Sequence, residues 1–378
     1  MNSLPPLGLY VHFPWCVKKC PYCDFNAHPL TGKLPDRIYI EILIRDLIQD
    51  LPQVWGRPVV SIFMGGGTPS LFSPRLLEDF ISQLRAVLPL APGLEITLEA
   101  NPGTIERGKF SEYRSAGINR ISLGVQSFAE NQLKLLGRIH DRQAAMMSIE
   151  EIHAAGFSNF NVDLMHGLPE QTLEGALSDI DQAIQLGVPH ISWYQLTLEP
   201  NTLFAAKPPV LPQEEVMAEI EDQGFLRLQN AGLERYEISA FAKPGHRSIH
   251  NQNYWNFGDY LGIGAGAHAK ITHPSGEVVR SFKFKHPKQY LQSIENFIQK
   301  TEVISKENLP LEFMLNALRL TEGFPLIWFQ ERTGLDNSVI QSALDRALSK
   351  GLLELSDVWI KPTSLGSRFL NDLLLLFE

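Results

Sequence analysis

From residue 7 to about 200 the chain alternates short, nearly continuous apolar runs with longer amphipathic ones. The short runs LGLYVHF (7 to 13), VVSIFM (59 to 64), LEITLEA (94 to 100), RISLGV (120 to 125), FNVDLM (160 to 165) and HISWYQL (190 to 196) predict strands. Between them, helical spacing predicts helices over Asp36 to Leu51, Pro74 to Leu88, Ile105 to Ala116, Arg142 to Ala155 and Thr172 to Leu186. Strands buried on both faces and separated by helices imply a parallel sheet with right-handed crossovers. Six such units predict an α/β fold, an incomplete (β/α)6 barrel. Polar or glycine-rich residues follow the strands, in GGGTP, EANPG, GVQSF, DLMHGLP and TLEPN. In a barrel those ends converge on one mouth, where sites are built.

Beyond residue 200 the pattern loosens into a helix near Gln213 to Ala231, a strand-like RYEISAF (235 to 241) and loops rich in glycine and histidine. From 301 onward, helices at Asn308 to Arg319, Leu326 to Thr333 and Ser338 to Lys350 precede a hairpin in LLELSDVWIKPT and a last helix, Leu365 to Leu375. That order predicts a winged-helix-like α+β domain. The expected divisions are 1–240 for the barrel, 241–300 for a connecting region and 301–378 for the C-terminal domain.

Charge changes what the last segment implies. Residues 301 to 378 carry seven Lys/Arg against eleven Asp/Glu, and the whole chain carries 33 against 42. An acidic balance is the wrong sign for phosphate contacts, so nucleic acid is not the expected partner. No run reaches the roughly 18–20 apolar residues that cross a bilayer, and MNSLPPLGLY lacks a basic-then-apolar signal pattern. A cytoplasmic protein, not an integral membrane one, is expected.

The cysteines number three, Cys16, Cys20 and Cys23, within "CVKKCPYCDF". They cannot form a disulfide framework, since any pair leaves a thiol over and closes a tiny loop. They lie in a long loop after the first strand, and long loops inside compact domains are usually functional. Zinc would need a fourth ligand, for which His12 or His28 is available. All-local thiols interleaved with Phe13, Trp15, Tyr22 and Phe25 better suit an iron–sulfur cluster shielded from water. A [4Fe–4S] cube on three thiolates leaves one iron open to an external chelator.

The CxxxCxxC spacing of Cys16, Cys20 and Cys23 resembles the signature of the radical S-adenosylmethionine (SAM) superfamily. The resemblance implies that the amino and carboxylate groups of SAM take the open iron, and that an electron from the cluster breaks the sulfonium C–S bond to give a 5′-deoxyadenosyl radical. It also implies that the loop GGGTPS, with Gly66, Gly67 and Thr68, grips SAM. Glycines let backbone N–H groups approach such a ligand.

A closer resemblance spans nearly the whole chain, through YVHFPWC, GGGTPS, EANPG, GVQSF, GRIHDR and NVDLMHGLPEQT. It is to the family of oxygen-independent coproporphyrinogen III dehydrogenases and their heme-chaperone relatives. From it Tyr10, Tyr22 and Glu99 are implied as SAM contacts, and Gln126, Arg138 and Asp163 as lining a SAM site, the same or a second. The dehydrogenases resemble CxxxCxxCxC, whereas Phe25 stands at that last position here, and only nine residues precede Tyr10. Both departures favour the chaperone branch.

"HNQNYW" (250 to 255) matches that branch's HNxxYW, and five histidines (246, 250, 268, 273, 286) lie close together. Imidazole is a common heme ligand, and Tyr254 and Trp255 offer flat faces. His250 is therefore the expected heme ligand. "GIGAGAHA" (262 to 269) fails the dinucleotide fingerprint, because Ala267 replaces its third glycine. The expected function is to bind heme as cargo and pass it to an apo-hemoprotein, which could sit at the membrane, with an electron donor for the cluster. The alternative is radical decarboxylation of coproporphyrinogen III.

Overall fold

A computed structural model describes residues 4–103 and 107–378. Its organising element is a twelve-stranded sheet among the described residues. The first six strands are β1 (Leu7–Phe13), β2 (Val59–Gly66), β3 (Leu90–Ala100), β4 (Arg120–Gln126), β5 (Phe160–His166) and β6 (His190–Gln195). They lie side by side in sequence order, all parallel. In β1 the residues Leu7, Leu9, Val11 and Phe13 are buried on one face. Side chains alternate along a strand, so Gly8, Tyr10 and His12 share the other face, toward the barrel interior.

Helices cover the outside, and local chemistry sets their starts. Ser73 caps Pro74–Val87 by accepting from the Leu76 N–H, with proline at the first helical position, where its missing N–H costs nothing. Asp141 and Thr172 likewise cap Arg142–Ala154 and Leu173–Gln185. Leu77, Phe80, Ile81 and Leu84 then meet the sheet as one buried stripe. The third expected helix is shorter, Phe110–Ser115, and its expected start at Ile105 lies outside the described residues.

The stretch 241–300, expected as a connector, instead extends the sheet. Six more strands are β7 (Glu234–Arg235), β8 (Ala240–Ala242), β9 (Asp259–Ile263), β10 (His268–Thr272), β11 (Val278–Lys283) and β12 (Ile298–Val303). The order across the sheet is β12-β11-β10-β9-β1-β2-β3-β4-β5-β6-β8-β7, with β9 parallel to β1. Buried charges lock this addition in place. Asp259 accepts from Arg57, Lys270 and Thr272, and Lys283 donates to Asp46 and Asp50. RYEISAF is not one strand: the chain turns between β7 and β8, where the Glu237 carboxylate accepts from the Ser239 N–H.

The C-terminal segment packs helices Leu309–Ala317, Ile327–Thr333 and Ser338–Ser349 against a hairpin of Leu353–Ser356 and Trp359–Pro362. Phe313, Phe324, Phe329 and Ile360 form its core, together with Phe257 from the main sheet's side. The last expected helix is broken at Phe369 into Ser364–Arg368 and Leu370–Leu374. No helix among the described residues is long and apolar enough to cross a membrane.

Candidate functional site

The cysteine loop leaves β1 and folds back on its own base. Trp15–Cys16 pairs with His28–Pro29, and the Leu30 N–H donates to the Cys16 carbonyl at 2.8 Å. Closing the loop there turns all three thiols into one pocket, whose wall also holds Tyr22, Gly66, Gly67, Thr68, Glu99, Gln126, Arg138 and Asp163. Eight of the nine side chains or backbones expected around SAM thus meet at the C-terminal ends of the strands. Tyr10 stands apart: its ring faces an adjoining cavity, and its hydroxyl lies 3.0 Å from His12 Nδ1. The aromatic shield is smaller than expected, since Phe13 and Trp15 pack on Tyr39 and Phe72 in the core.

No three His, Cys, Asp or Glu side chains among the described residues converge tightly enough to chelate a single ion. Burial pushes the Cys16 thiol up to about 11 and raises Cys23, with the neighbouring thiols adding to both. Thiolates here therefore need a positive centre to pair with.

The glycine loop explains itself by contact distances. Gly66 has φ of +112°, and a Cβ there would sit 2.5 Å from the His12 ring. At Gly67 a Cβ would lie 2.4 Å from the Trp15 carbonyl oxygen. Only glycine brings this backbone against the base of the cysteine loop. The Gly66 N–H donates to Glu99 Oε2 at 2.9 Å.

Charge in the pocket is unbalanced in an informative way. Burial and the nearby Asp163 push Glu99 up to about 7, although the Gly66 N–H opposes the rise. Burial also raises Asp163, against donors from Asn161 and Ser122. Among the described residues neither carboxylate joins an ion pair. Opposite them, Arg138 is steered by Asn101 Oδ1 (2.5 Å) and the Gly124 carbonyl (2.6 Å), and its Nη1 lies 3.6 Å from Cys20 Sγ. Its Nε is buried with no partner. Burial works against the Arg138 charge, but Tyr22 and Cys20 outweigh it and hold the group cationic. A ligand carrying both a carboxylate and a cation would satisfy all three side chains at once.

Gln126 ends β4 with φ of +72°, where the register with β5 shifts, and its Oε1 accepts from Tyr194 at 2.8 Å. A non-glycine residue in that region is strained, and strain of this kind collects at binding sites. Tyr194, Asn101 and Ser122 also line the pocket and were not singled out from sequence. Asn101 lay in plain view within EANPG; Tyr194 and Ser122 looked like ordinary strand residues.

His250, the expected heme ligand, lies inside the barrel. The helix Ile249–Trp255 plugs the barrel interior, its first N–H groups held by the Glu95 carboxylate. His250 is fully buried there, with Nδ1 2.9 Å from Ser61 Oγ and Nε2 3.0 Å from the Tyr254 hydroxyl. Its ring stacks on Phe63, and burial lowers its pKa to about 3. Both nitrogens are thus hydrogen-bonded in this conformation, and its partner Tyr254 lines the open cavity. Asn253 likewise donates to the Asp259 carbonyl, and Trp255 lies under Arg319.

Tyr254, one helical turn on, does reach open space. A cavity of about 790 Å³ adjoins the cysteine pocket and shares Gly66, Glu99 and Lys19 with it. Tyr10, Tyr254 and Tyr260 line one part of it, and His28, His268 and Lys285 another.

Comparison with known proteins agrees with this arrangement. Residues 10–183 match the model of the radical SAM superfamily, and residues 304–369 that of the HemN C-terminal domain. The chain is 50% identical to the heme chaperone HemW of Escherichia coli, over 100% of this chain and 99% of that protein. It is 48% identical to HemW of Haemophilus influenzae, with the same coverage, and 33% identical to HemW of Bacillus subtilis over 96% and 97%. The solved structure of E. coli coproporphyrinogen III oxidase (HemN), described as a radical SAM enzyme, has a TM-score of 0.83 at 23% identity, covering 99% of this chain and 90% of that one. At that identity the likeness concerns the fold. Full-length identity to the HemW proteins, on a barrel that gathers CxxxCxxC and GGGTP at one mouth, places the chain in the HemW family of the radical SAM superfamily.

Proposed function

We propose that this protein is a heme chaperone: it binds heme in the cytoplasm and hands it to an acceptor hemoprotein, with a [4Fe–4S] cluster and SAM beside the cargo. The reading rests first on full-length identity to proteins named heme chaperone HemW. Cys16, Cys20 and Cys23 would hold the cluster, and Gly66, Gly67, Thr68, Glu99, Gln126, Arg138 and Asp163 would hold SAM. Arg138 would take the SAM carboxylate. Glu99 and Asp163 would face its ammonium or ribose hydroxyls, which relieves two buried, unpaired carboxylates. When bound, the cluster and SAM supply one-electron chemistry, fed by an external electron donor.

The chemistry of the larger cavity favours carriage over turnover. A porphyrinogen dehydrogenase must neutralise the several carboxylates of coproporphyrinogen III, whereas the cations lining this cavity are Lys19 and Lys285. That pair suits the two propionates of heme. Phe25, 62% exposed at the cavity edge, also stands where the dehydrogenases resemble a further cysteine.

Two assays on anaerobically reconstituted protein test this. Hemin titration should give a saturable Soret band at one heme per chain, and incubation with coproporphyrinogen III, SAM and a low-potential reductant should yield no protoporphyrinogen. Product formation without a stoichiometric hemin complex would assign the chain to decarboxylation instead.

A further inference from the structure

Gln126 keeps a φ of +72° without the freedom of a glycine, so its surroundings must hold the backbone there. We propose that Asp179, on the outer helix Leu173–Gln185, is the positioning residue that fixes Gln126 against SAM, with His140 as its counterpart on the other side. This rests on the SAM site proposed above and names the device that keeps that site in shape.

Both sides of Gln126 are tied from outside the pocket. Ahead of it, the register of β4 with β5 passes from Gly124 opposite Asp163 to Gln126 opposite Leu164, and Val125 is skipped. The Val125 carbonyl accepts from His140 Nε2 at 3.1 Å. Behind it, Ser127 Oγ donates to Asp179 Oδ2 and the Phe128 N–H donates to Asp179 Oδ1, each at 2.7 Å. The Ala129 N–H in turn donates to Ser127 Oγ at 3.0 Å. Asp179, Ser127 and His140 are buried, and none of them lines the cysteine pocket. Any effect they have on a ligand passes through the backbone they hold.

The chemistry of the two ties fits this task. Burial pushes the Asp179 carboxyl up to about 6, against the Ser127 and Phe128 donors and then Arg142, so near pH 7 it is ionised and accepts at both oxygens. Taking a hydroxyl and a backbone N–H from adjacent residues fixes the whole turn after Gln126 and not one atom of it. Burial and then Arg138 push His140 down to about 3, so its imidazole is neutral and Nε2 carries the proton that the Val125 carbonyl accepts.

Held in this way, the Gln126 amide is aimed. Its Oε1 accepts from the Tyr194 hydroxyl at 2.8 Å. Its Nε2 lies over Gly124 with Asn101 Oδ1 and Arg138 Nη2, all three within 3.5 Å of the point that a Cβ on Gly124 would take. A φ in the usual negative range would redirect the Cα–Cβ bond of Gln126, and the amide would leave both Tyr194 and this corner. Arg138 shares its loop with His140, so the same ties serve the cation of the site.

SAM titrations of anaerobically reconstituted protein test the assignment, followed by calorimetry and by the change SAM makes in the electron paramagnetic resonance signal of the reduced cluster. Asp179→Asn keeps the size of the side chain but sets an amide NH2 against one of the two donors. It should weaken SAM by about tenfold, equivalent to about 1.4 kcal/mol, and shift the spectroscopic titration by the same factor. Ser127→Ala, which removes one of the two contacts, should weaken SAM about threefold. Gln126→Gly supplies the discriminating background, since glycine takes a positive φ unaided. Asp179→Asn added to Gln126→Gly should weaken SAM by less than about twofold beyond Gln126→Gly alone, a non-additivity that a merely structural residue would not show. Equal weakening in both backgrounds would overturn the assignment, as would wild-type affinity in Asp179→Asn or in Ser127→Ala, and each would leave the SAM site itself intact. A wild type that binds no SAM would remove both. Iron content and far-ultraviolet circular dichroism equal to wild type establish that the variants are folded.

Discussion

Replacing Glu99 by Gln separates what this carboxylate costs the fold from what it does for a ligand. In the free protein its pKa is pushed up from 4.5 to about 7, chiefly by burial and then by Asp163. A raised carboxylate pKa means that the folded state resists ionisation, so stability falls as pH rises from about 4.5 to about 7 and stays at its lower level above that. The full shift corresponds to about 3 kcal/mol at 1.36 kcal/mol per unit. Glu99 keeps some exposure to its cavity, where water screens the charge, so about 2 kcal/mol is the expected penalty at pH 8. A 378-residue chain unfolds with an entropy of about 0.8 kcal/mol per kelvin, which converts that penalty to roughly 2–3 K. Melting curves of ligand-free Glu99→Gln and wild type at pH 5 and pH 8 should therefore differ more at pH 8, with the variant gaining by about that amount. The same variant should bind SAM about tenfold more weakly, because an amide cannot pair with its ammonium. Equal gaps at both pH values, or a variant that loses ground at pH 8, would show that Glu99 is already compensated by a cation in the free protein and would refute the reasoning.

Other substitutions probe separate parts of the site. Gly66→Ala forces a methyl to within 2.5 Å of the His12 ring at a φ of +112°, and should cost about 2–4 kcal/mol in denaturant unfolding. His250→Ala empties a buried position and orphans Ser61 and Tyr254, at about 2–4 kcal/mol in denaturant unfolding, and its folded fraction should show a weakened Soret band on hemin titration. Arg138→Lys loses the forked grip on Asn101 and Gly124, and calorimetry should find SAM about tenfold weaker. Serine at Cys16, Cys20 or Cys23, one at a time, should abolish the brown colour of the reconstituted protein, whereas a colourless wild type containing zinc would remove the cluster altogether.

The barrel was legible because its strands are buried on both faces and its helices carry their own caps; β1, with Leu7, Leu9, Val11 and Phe13, needs no context to be recognised. The strands β9 to β12 were not. Lys270 and Lys283 look like surface residues in sequence, and only the buried partners Asp259, Asp46 and Asp50 make them core. The same limit applies to the site. The cysteines and GGGTP were recognisable because backbone and spacing carry the information. Tyr10, expected at SAM, lines the adjoining cavity that shares Gly66 and Glu99 with the cysteine pocket. The imidazole of His250 is visible in sequence, but its burial and its hydrogen bonds to Ser61 and Tyr254 are not.

Transfer of heme is the property that distinguishes a carrier from an enzyme or a passive sink. The chain, reconstituted under anaerobic conditions and loaded with one equivalent of heme, should restore activity to a heme-free hemoprotein in the presence of a scavenger that captures free hemin. Activity should appear at the rate at which the Soret band of the loaded chain decays. Restoration only when the scavenger is omitted, or no restoration while the loaded band persists, would contradict heme carriage.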